Sequence, residues 1–249
     1  MDEADPRIVR HGAVDSTSER AFAELAAGRA RHGDVHVASE QTRGRGRLGR
    51  AWHSAADEGL YASFVLMPER PCNAAALTIA LGLATLDAVR ALGLERAELK
   101  WPNDVVVEGA KLAGVLAETR DLDPRRPAYV AGVGINVAQR SFPRELVAER
   151  PVTSLAAHGI TATVEDALRE LVLALPKRCA LIERDVARLE SDFVRAARLD
   201  GHRLRAEVAA GTIEGELVHL SVERGLCLRR ATGAEARFAL EHVRGLTVA

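Results

Sequence analysis

Residues 100–105 read Lys-Trp-Pro-Asn-Asp-Val, with Leu99 opening a short β-like run before them and residues 105–107 starting another after. Pro102 fixes a turn, and the residue ahead of a proline is driven to extended backbone. The segment therefore predicts strand, turn, strand, with Lys100 at the lip of the turn. Lysine is scarce in this chain, since the others are Lys111 and Lys177. Two readings fit. One is a strand end capped by an Asx-turn, with a surface lysine. The other is an active-site cation that neutralises a substrate carboxylate and an α-phosphate as they react. In the second reading Asn103 and Asp104 orient the lysine or hold a metal ion near phosphate oxygens.

The runs downstream share one property. Strands are expected at 113–119 and 129–137, and the runs Lys111-Leu112-Ala113-Gly114-Val115-Leu116-Ala117-Glu118 and Gly132-Val133-Gly134-Ile135-Asn136-Val137 put glycines inside them. Glycine weakens a strand unless another group must come close to the backbone. A ligand over the sheet and a tight sheet–helix contact both meet that need. Asn136 ends its run as either a ribose or phosphate contact or a structural amide.

Upstream lies Gly44-Arg45-Gly46-Arg47-Leu48-Gly49-Arg50, followed by Trp52. Glycines admit a phosphate to backbone N–H groups, and guanidinium groups grip phosphate or carboxylate in a plane. This predicts a mobile loop suited to a polyanion. A solvated basic turn and an RNA contact are the alternatives, whereas a phosphate-binding Walker loop is excluded by the glycine spacing. Asp15-Ser16-Thr17-Ser18 either offers hydroxyls to a polar ligand or caps the helix expected over 18–27. Gln41, between Glu40 and Thr42, either bonds a ligand amide or faces solvent.

The rest of the chain supplies a frame. Strands are expected at 34–39 and 60–67, and a long helix at 74–92 that packs in a core. Helices over 163–175 and 179–192 are expected to be separated by Pro176. From Leu199 short β-like runs alternate with glycine turns, which predicts a small β-barrel. The domain division is thus 1–198 and 199–249. An apolar fraction of 47 % fills a core, and a net charge of -1 argues against general affinity for nucleic acid or anionic membrane. Three cysteines, far apart and without metal-ligand spacing, suit a reducing compartment. The opening residues Asp2, Glu3 and Asp5 do not resemble a signal segment, so the cytoplasm is expected.

In order and together, these segments resemble the catalytic region of the biotin–protein ligases. The family's Gly-Arg-Gly-Arg-x-Gly-Arg loop with its Trp, its Lys-Trp-Pro-Asn-Asp, its Lys-Leu-x-Gly-x-Leu-x-Glu and its Gly-x-Gly-x-Asn all have counterparts here. The likeness starts near residue 12 and runs to the C-terminus. It implies an α+β fold: a mixed sheet flanked by helices, like that of class II aminoacyl-tRNA synthetases, then an SH3-like β-barrel. It implies that biotin and ATP, with Mg2+, form biotinyl-5'-AMP. The biotinyl group then passes to a lysine on the biotin carboxyl carrier domain of acetyl-CoA carboxylase or a related carboxylase.

Carried onto this sequence, the resemblance makes Lys100 and Arg47 catalytic. Ser16, Thr17, Gln41 and Arg45 contact biotin. Gly44, Gly46 and Arg47 belong to the loop that covers the intermediate. Arg50, Trp52, Asn103, Lys111 and Asn136 line the nucleotide side, where Gly114 and Gly134 admit the ligand to the sheet. No protein-built metal site is expected. Ser18 stands where the family usually has Asn, and Ala55 and Asp57 where it often has Pro and Gly. The residues ahead of the likeness are too few for a winged-helix domain, so no DNA-binding role is expected. A monomer or homodimer is expected. The rival readings are a lipoate or octanoate ligase of the same fold, an RNA-binding module, and an inactive relative that retains the adenylate.

Overall fold

Leu60, Ala62 and Phe64 alternate along one strand with Tyr61, Ser63 and Val65, so the two sets face opposite sides of a sheet. The first set packs into the main core, and Val65 joins a second, smaller cluster with Ala21, Phe22 and Val130. A sheet with two covered faces follows from that pattern. The computed structural model describes residues 6–120, 123 and 125–249, and the acidic residues Asp2, Glu3 and Asp5 lie outside these.

In chain order the elements are β1 (Ile8–Val14), α1 (Thr17–Ala26), β2 (Val35–Gln41), β3 (Gly59–Leu66), α2 (Ala74–Ala91), β4 (Glu98–Lys100), β5 (Asp104–Val107), β6 (Ala110–Glu118) and β7 (Tyr129–Asn136). Then come α3 (Arg144–Glu149), α4 (Val164–Arg184), α5 (Val186–Ala196), β8 (Arg203–Val208), β9 (Gly211–Ser221), β10 (Gly225–Arg229), β11 (Glu235–Phe238) and β12 (Gly245–Val248).

The large sheet has the order β1-β2-β3-β7-β6-β5-β4. It is mixed: β1 runs parallel to β2, and the other neighbours are antiparallel. The turn between β5 and β6 places Glu108 (φ 52°) and Gly109 (φ 80°) in the left-handed region, as a two-residue hairpin turn requires. Helix α2 is long and apolar enough to cross a membrane by composition, but 67 % of it is buried in the fold, where it packs on α4, α5 and β6. Asn73 caps its start, accepting from the Ala75 and Ala76 N–H groups at 2.8 and 3.2 Å.

Two expectations are corrected. Pro176 does not divide the helices: α4 runs through it, and the break falls at Asp185, whose side chain caps α5. Just past the proline, Arg178 bonds Asp87 of α2 at 2.6 Å and Asp192 of α5 at 2.5 Å, and this tie holds the C-terminal half of α4 in line. Nor is there a barrel. The C-terminal sheet has the order β11-β10-β9-β8-β12, and its end strands pair only inward, so it stays open. Closure is unnecessary because its apolar face is covered from outside. Leu204, Ala206, Leu226 and Leu246 belong to the same core cluster as Leu189, Phe193 and Trp101.

Trp101 is the hinge pin of that contact. Its ring meets Phe193 edge-on at 5.7 Å, and its Nε1–H donates to the Val243 carbonyl at 2.8 Å. Trp101→Phe keeps most of the apolar surface but orphans a buried carbonyl, so a loss of about 1–2 kcal/mol is expected. Urea unfolding measures it; an unchanged midpoint contradicts the role given to this bond.

Candidate active-site cleft

A cleft of about 820 Å³ lies on the α1 side of the large sheet, and the segment 241–247 closes one flank. The strand register builds its floor. Ser63 pairs with Gly132 and Tyr61 with Gly134 across β3–β7, while Gly114 pairs with Gly134 and Leu116 with Gly132 across β6–β7. The glycines thus gather on one patch of one face.

Trp52 fills the space they leave. A Cβ at Gly134 would collide with the Trp52 indole, and one at Gly114 would sit 3.1 Å from it. Lys111 Nζ lies 5.3 Å from the centre of that ring and 2.6 Å from Asp104 Oδ1. Burial pulls the Lys111 ammonium below its ordinary pKa, and Asp104 opposes this. Asn103 is tied to β6 by two bonds, donating from Nδ2 to Val115 O at 2.7 Å and accepting from Val115 N at 2.9 Å.

The arginine–glycine segment is folded as a small hairpin. Arg45 and Ala51 form a β-bridge, Gly46 N–H donates to Arg50 O at 2.7 Å, and Trp52 N–H to Gly44 O at 2.9 Å. Gly44 is required here, since a Cβ would come within 2.5 Å of the Trp52 carbonyl. Leu48 tops the hairpin at φ 56° and is 88 % exposed.

Its arginines differ in company. Arg45 is neutralised by Glu19 of α1 at 2.8 Å and Glu118 of β6 at 2.5 Å. Arg47 lines the cleft half-buried, with no ion pair among the described residues, and burial pulls its guanidinium below its ordinary pKa. Lys100, opposite Asp104 in the β4–β5 pairing, and Arg50 also line the cleft without an ion pair among the described residues. Unpaired cations in a partly desolvated cleft attract an anion.

The other end is neutral and polar. Ser16, Thr17 and Ser18 are buried where α1 begins. Ser16 holds the N-cap position, yet its side chain makes no capping bond. Gln41 accepts from the Thr17 N–H at 2.8 Å and donates to Ser54 Oγ at 3.0 Å.

Of the predicted site residues, all but Gly44 and Asn136 line the cleft. Asn136 instead donates to the Thr153 carbonyl at 2.9 Å and fixes the segment that flanks Lys111. Sequence reading missed Ser63, Arg150 and the C-terminal flank. Ser63 carried a signal: a small polar residue in the middle of an otherwise largely apolar strand. The family departures are accommodated. Ser18 bonds Ser63, the Ala55 carbonyl accepts from Tyr61 OH at 2.8 Å, and Asp57 takes φ 58°, a conformation favouring glycine that Asp tolerates.

Comparison with known proteins decides the lineage. The model of the biotin/lipoate A/B protein ligase family matches residues 12–136. The bifunctional ligase/repressor BirA of Bacillus spizizenii is 30 % identical over 233 residues, which span 92 % of this chain and 71 % of that protein. The chain belongs to the biotin/lipoate A/B protein ligase family. A second relative in that family, the biotin–[acetyl-CoA-carboxylase] ligase of Mycobacterium tuberculosis, is 36 % identical over 202 residues, covering 79 % of this chain and 73 % of its own. The biotin protein ligase from Aquifex aeolicus in complex with biotin and ATP superposes with a TM-score of 0.80 at 28 % identity, covering 98 % of this chain and 99 % of that one.

The contact between Trp52 and the glycines is testable in this ligase without any substrate. The chain has two tryptophans. In a Trp101→Phe background, Gly134→Ala is expected to push the Trp52 indole toward solvent and shift its emission to the red. An unshifted spectrum contradicts the packing described.

Proposed function

We propose that this chain is a biotin–protein ligase that makes biotinyl-5'-AMP from biotin and ATP and hands the biotinyl group to a lysine of a carrier protein. One observation carries the reading: a single cleft joins a buried hydroxyl–amide end to a cationic end floored by Trp52, with unpaired Lys100 and Arg47 among the groups that line it. A ligand with a polar neutral head, a carboxylate and a nucleotide meets complementary chemistry along that length. The Aquifex relative, solved with biotin and ATP, supports the assignment.

The head group of biotin lies against Ser16, Thr17 and Gln41. Its carboxylate meets the ATP α-phosphate beside Lys100 and Arg47. The two anions repel, and the cations cancel that repulsion and the charge that grows as the carboxylate oxygen attacks phosphorus. The P–O bond to pyrophosphate breaks, leaving a mixed anhydride. The adenylate lies against Trp52, with Arg50 and Lys111 at its phosphate side. Arg45, already paired, anchors the base of the hairpin, while residues 46–50 fold over the anhydride and keep water out. A carrier lysine then attacks the acyl carbon and AMP leaves.

Mg2+ would enter with ATP and shield its phosphates. Asp104 lines the cleft with one carboxylate oxygen 2.6 Å from Lys111 Nζ, and its other oxygen would be available to the cation or its water shell. The acceptor is the carrier domain of a biotin-dependent carboxylase, as the name of the Mycobacterium relative suggests.

Biotin-dependent ATP–pyrophosphate exchange tests the reading, with lipoate and octanoate in parallel. Exchange with biotin is expected, and Lys100→Ala is expected to lower its kcat roughly 100- to 1000-fold, the scale for removing a group that stabilises developing charge. Exchange with lipoate or octanoate but not biotin contradicts the substrate assignment.

A further inference from the structure

Residues 150–153 run as a strap along the start of β6. The Lys111 N–H donates to Pro151 O at 2.9 Å, the Thr153 N–H donates to Lys111 O at 2.9 Å, and Lys111 and Val152 form a parallel bridge. The Asn136 side chain donates to the Thr153 carbonyl at 2.9 Å, and Thr153 Oγ1 lies 2.9 Å from His158 Nε2. Arg150 stands at the head of this strap, and its backbone N–H bonds Leu146 O of α3 at 3.1 Å. Its place is therefore set by the sheet and not by the arginine hairpin.

The Arg150 side chain enters the cleft half-buried. Its Nε is buried without a hydrogen-bond partner, and its guanidinium has no ion pair among the described residues. It lies near enough to Lys111 to disfavour that ammonium, as Arg50 does, and Asp104 is the carboxylate that opposes them. Three cations thus face one carboxylate beside Trp52. A desolvated guanidinium N–H without an acceptor is costly, and an anion in the cleft relieves that cost.

An acyl-adenylate does not satisfy all three. It brings a single phosphate charge, which Arg50 and Lys111 meet. ATP brings two phosphates more. They depart when the carboxylate oxygen bonds the α-phosphorus and the P–O bond to the β-phosphate breaks, its electron pair going with pyrophosphate. The hairpin has to stay closed over the anhydride while pyrophosphate leaves. The cation that holds the departing phosphates therefore cannot ride on the hairpin. Arg150 meets both conditions, as an unpaired cation in the cleft on a strap braced to the sheet.

We infer that Arg150 binds the β- and γ-phosphates of ATP, and pyrophosphate once the bond has broken, and takes no part in holding the adenylate. This rests on the ligase reading and deepens it, by giving the leaving group a residue of its own outside the hairpin and outside Lys100–Asp104.

The test compares the full native chain with Arg150→Gln and Arg150→Lys. Two quantities are read: the KM values for ATP and for pyrophosphate in biotin-dependent exchange, and the calorimetric Kd of a non-hydrolysable biotinyl-adenylate. Arg150→Gln is expected to raise both KM values about tenfold, the scale of one charge-assisted hydrogen bond, and to leave the adenylate Kd unchanged. Arg150→Lys keeps a charge but loses the planar fork, so its KM values are expected to fall between the two. Thermal midpoints of both variants are expected to match the native one, because no ion pair is lost. If Arg150→Gln weakens the adenylate as much as ATP, Arg150 serves the adenosine part and the inference is overturned. Unchanged KM values in a variant that still exchanges overturn it as well, and the ligase reading stands. No biotin-dependent exchange by the native protein sinks the ligase reading itself, and this inference with it.

Discussion

The indole of Trp52 rests against backbone that only glycine leaves bare. Gly134 and Gly114 are register partners on neighbouring strands, and together they form the hollow that the ring enters. This contact sets the position of everything around it. It ties the end of the arginine hairpin to the sheet, and it brings Lys111 over the ring and into reach of Asp104. The glycines of β6 and β7 thus weaken their strands locally in exchange for a fixed joint between loop and floor.

Charge divides that hairpin into two parts. Arg45 at its base is satisfied by two carboxylates from separate elements, Glu19 and Glu118, and Glu19 is held in turn by Arg120. Arg47 and Arg50 beyond it have no such partners among the described residues. On the proposed function, a base pinned by ion pairs and a tip carrying unpaired cations would make a lid that closes on an anion beneath it. Family membership, the Aquifex likeness and this charge pattern all support the ligase proposed above.

Much of the fold was legible because burial leaves periodic marks. Helices α1 and α2 and strands β3, β6 and β7 follow from apolar spacing. Strand β1 was not legible: at the sheet edge it is mostly exposed, and Arg10, His11 and Gly12 erase its alternation. The barrel was misread because alternating short strands announce a sheet with one buried face, but not what buries it. Here α5 and Trp101 do so, and the sheet need not close. Pro176 misled because a proline costs a helix one hydrogen bond, and the clamp on Arg178 outweighs that loss. At the site, the order of motifs gave most of the lining. It could not tell a paired arginine from an unpaired one, or show that Asn136 turns away to brace a loop. Nor could it bring Ser63 to Thr17, because those residues meet only where α1 packs on β3.

The central claim is that the hairpin tip closes over an anion held in the cleft. Hydrogen exchange at the backbone amides of residues 44–52 tests it most directly, with protein alone, with each substrate, and with biotin and ATP together. The account predicts modest protection at the base in every state, and strong added protection at residues 46–50 only when the adenylate forms. Equal exchange at the tip in all states would contradict it.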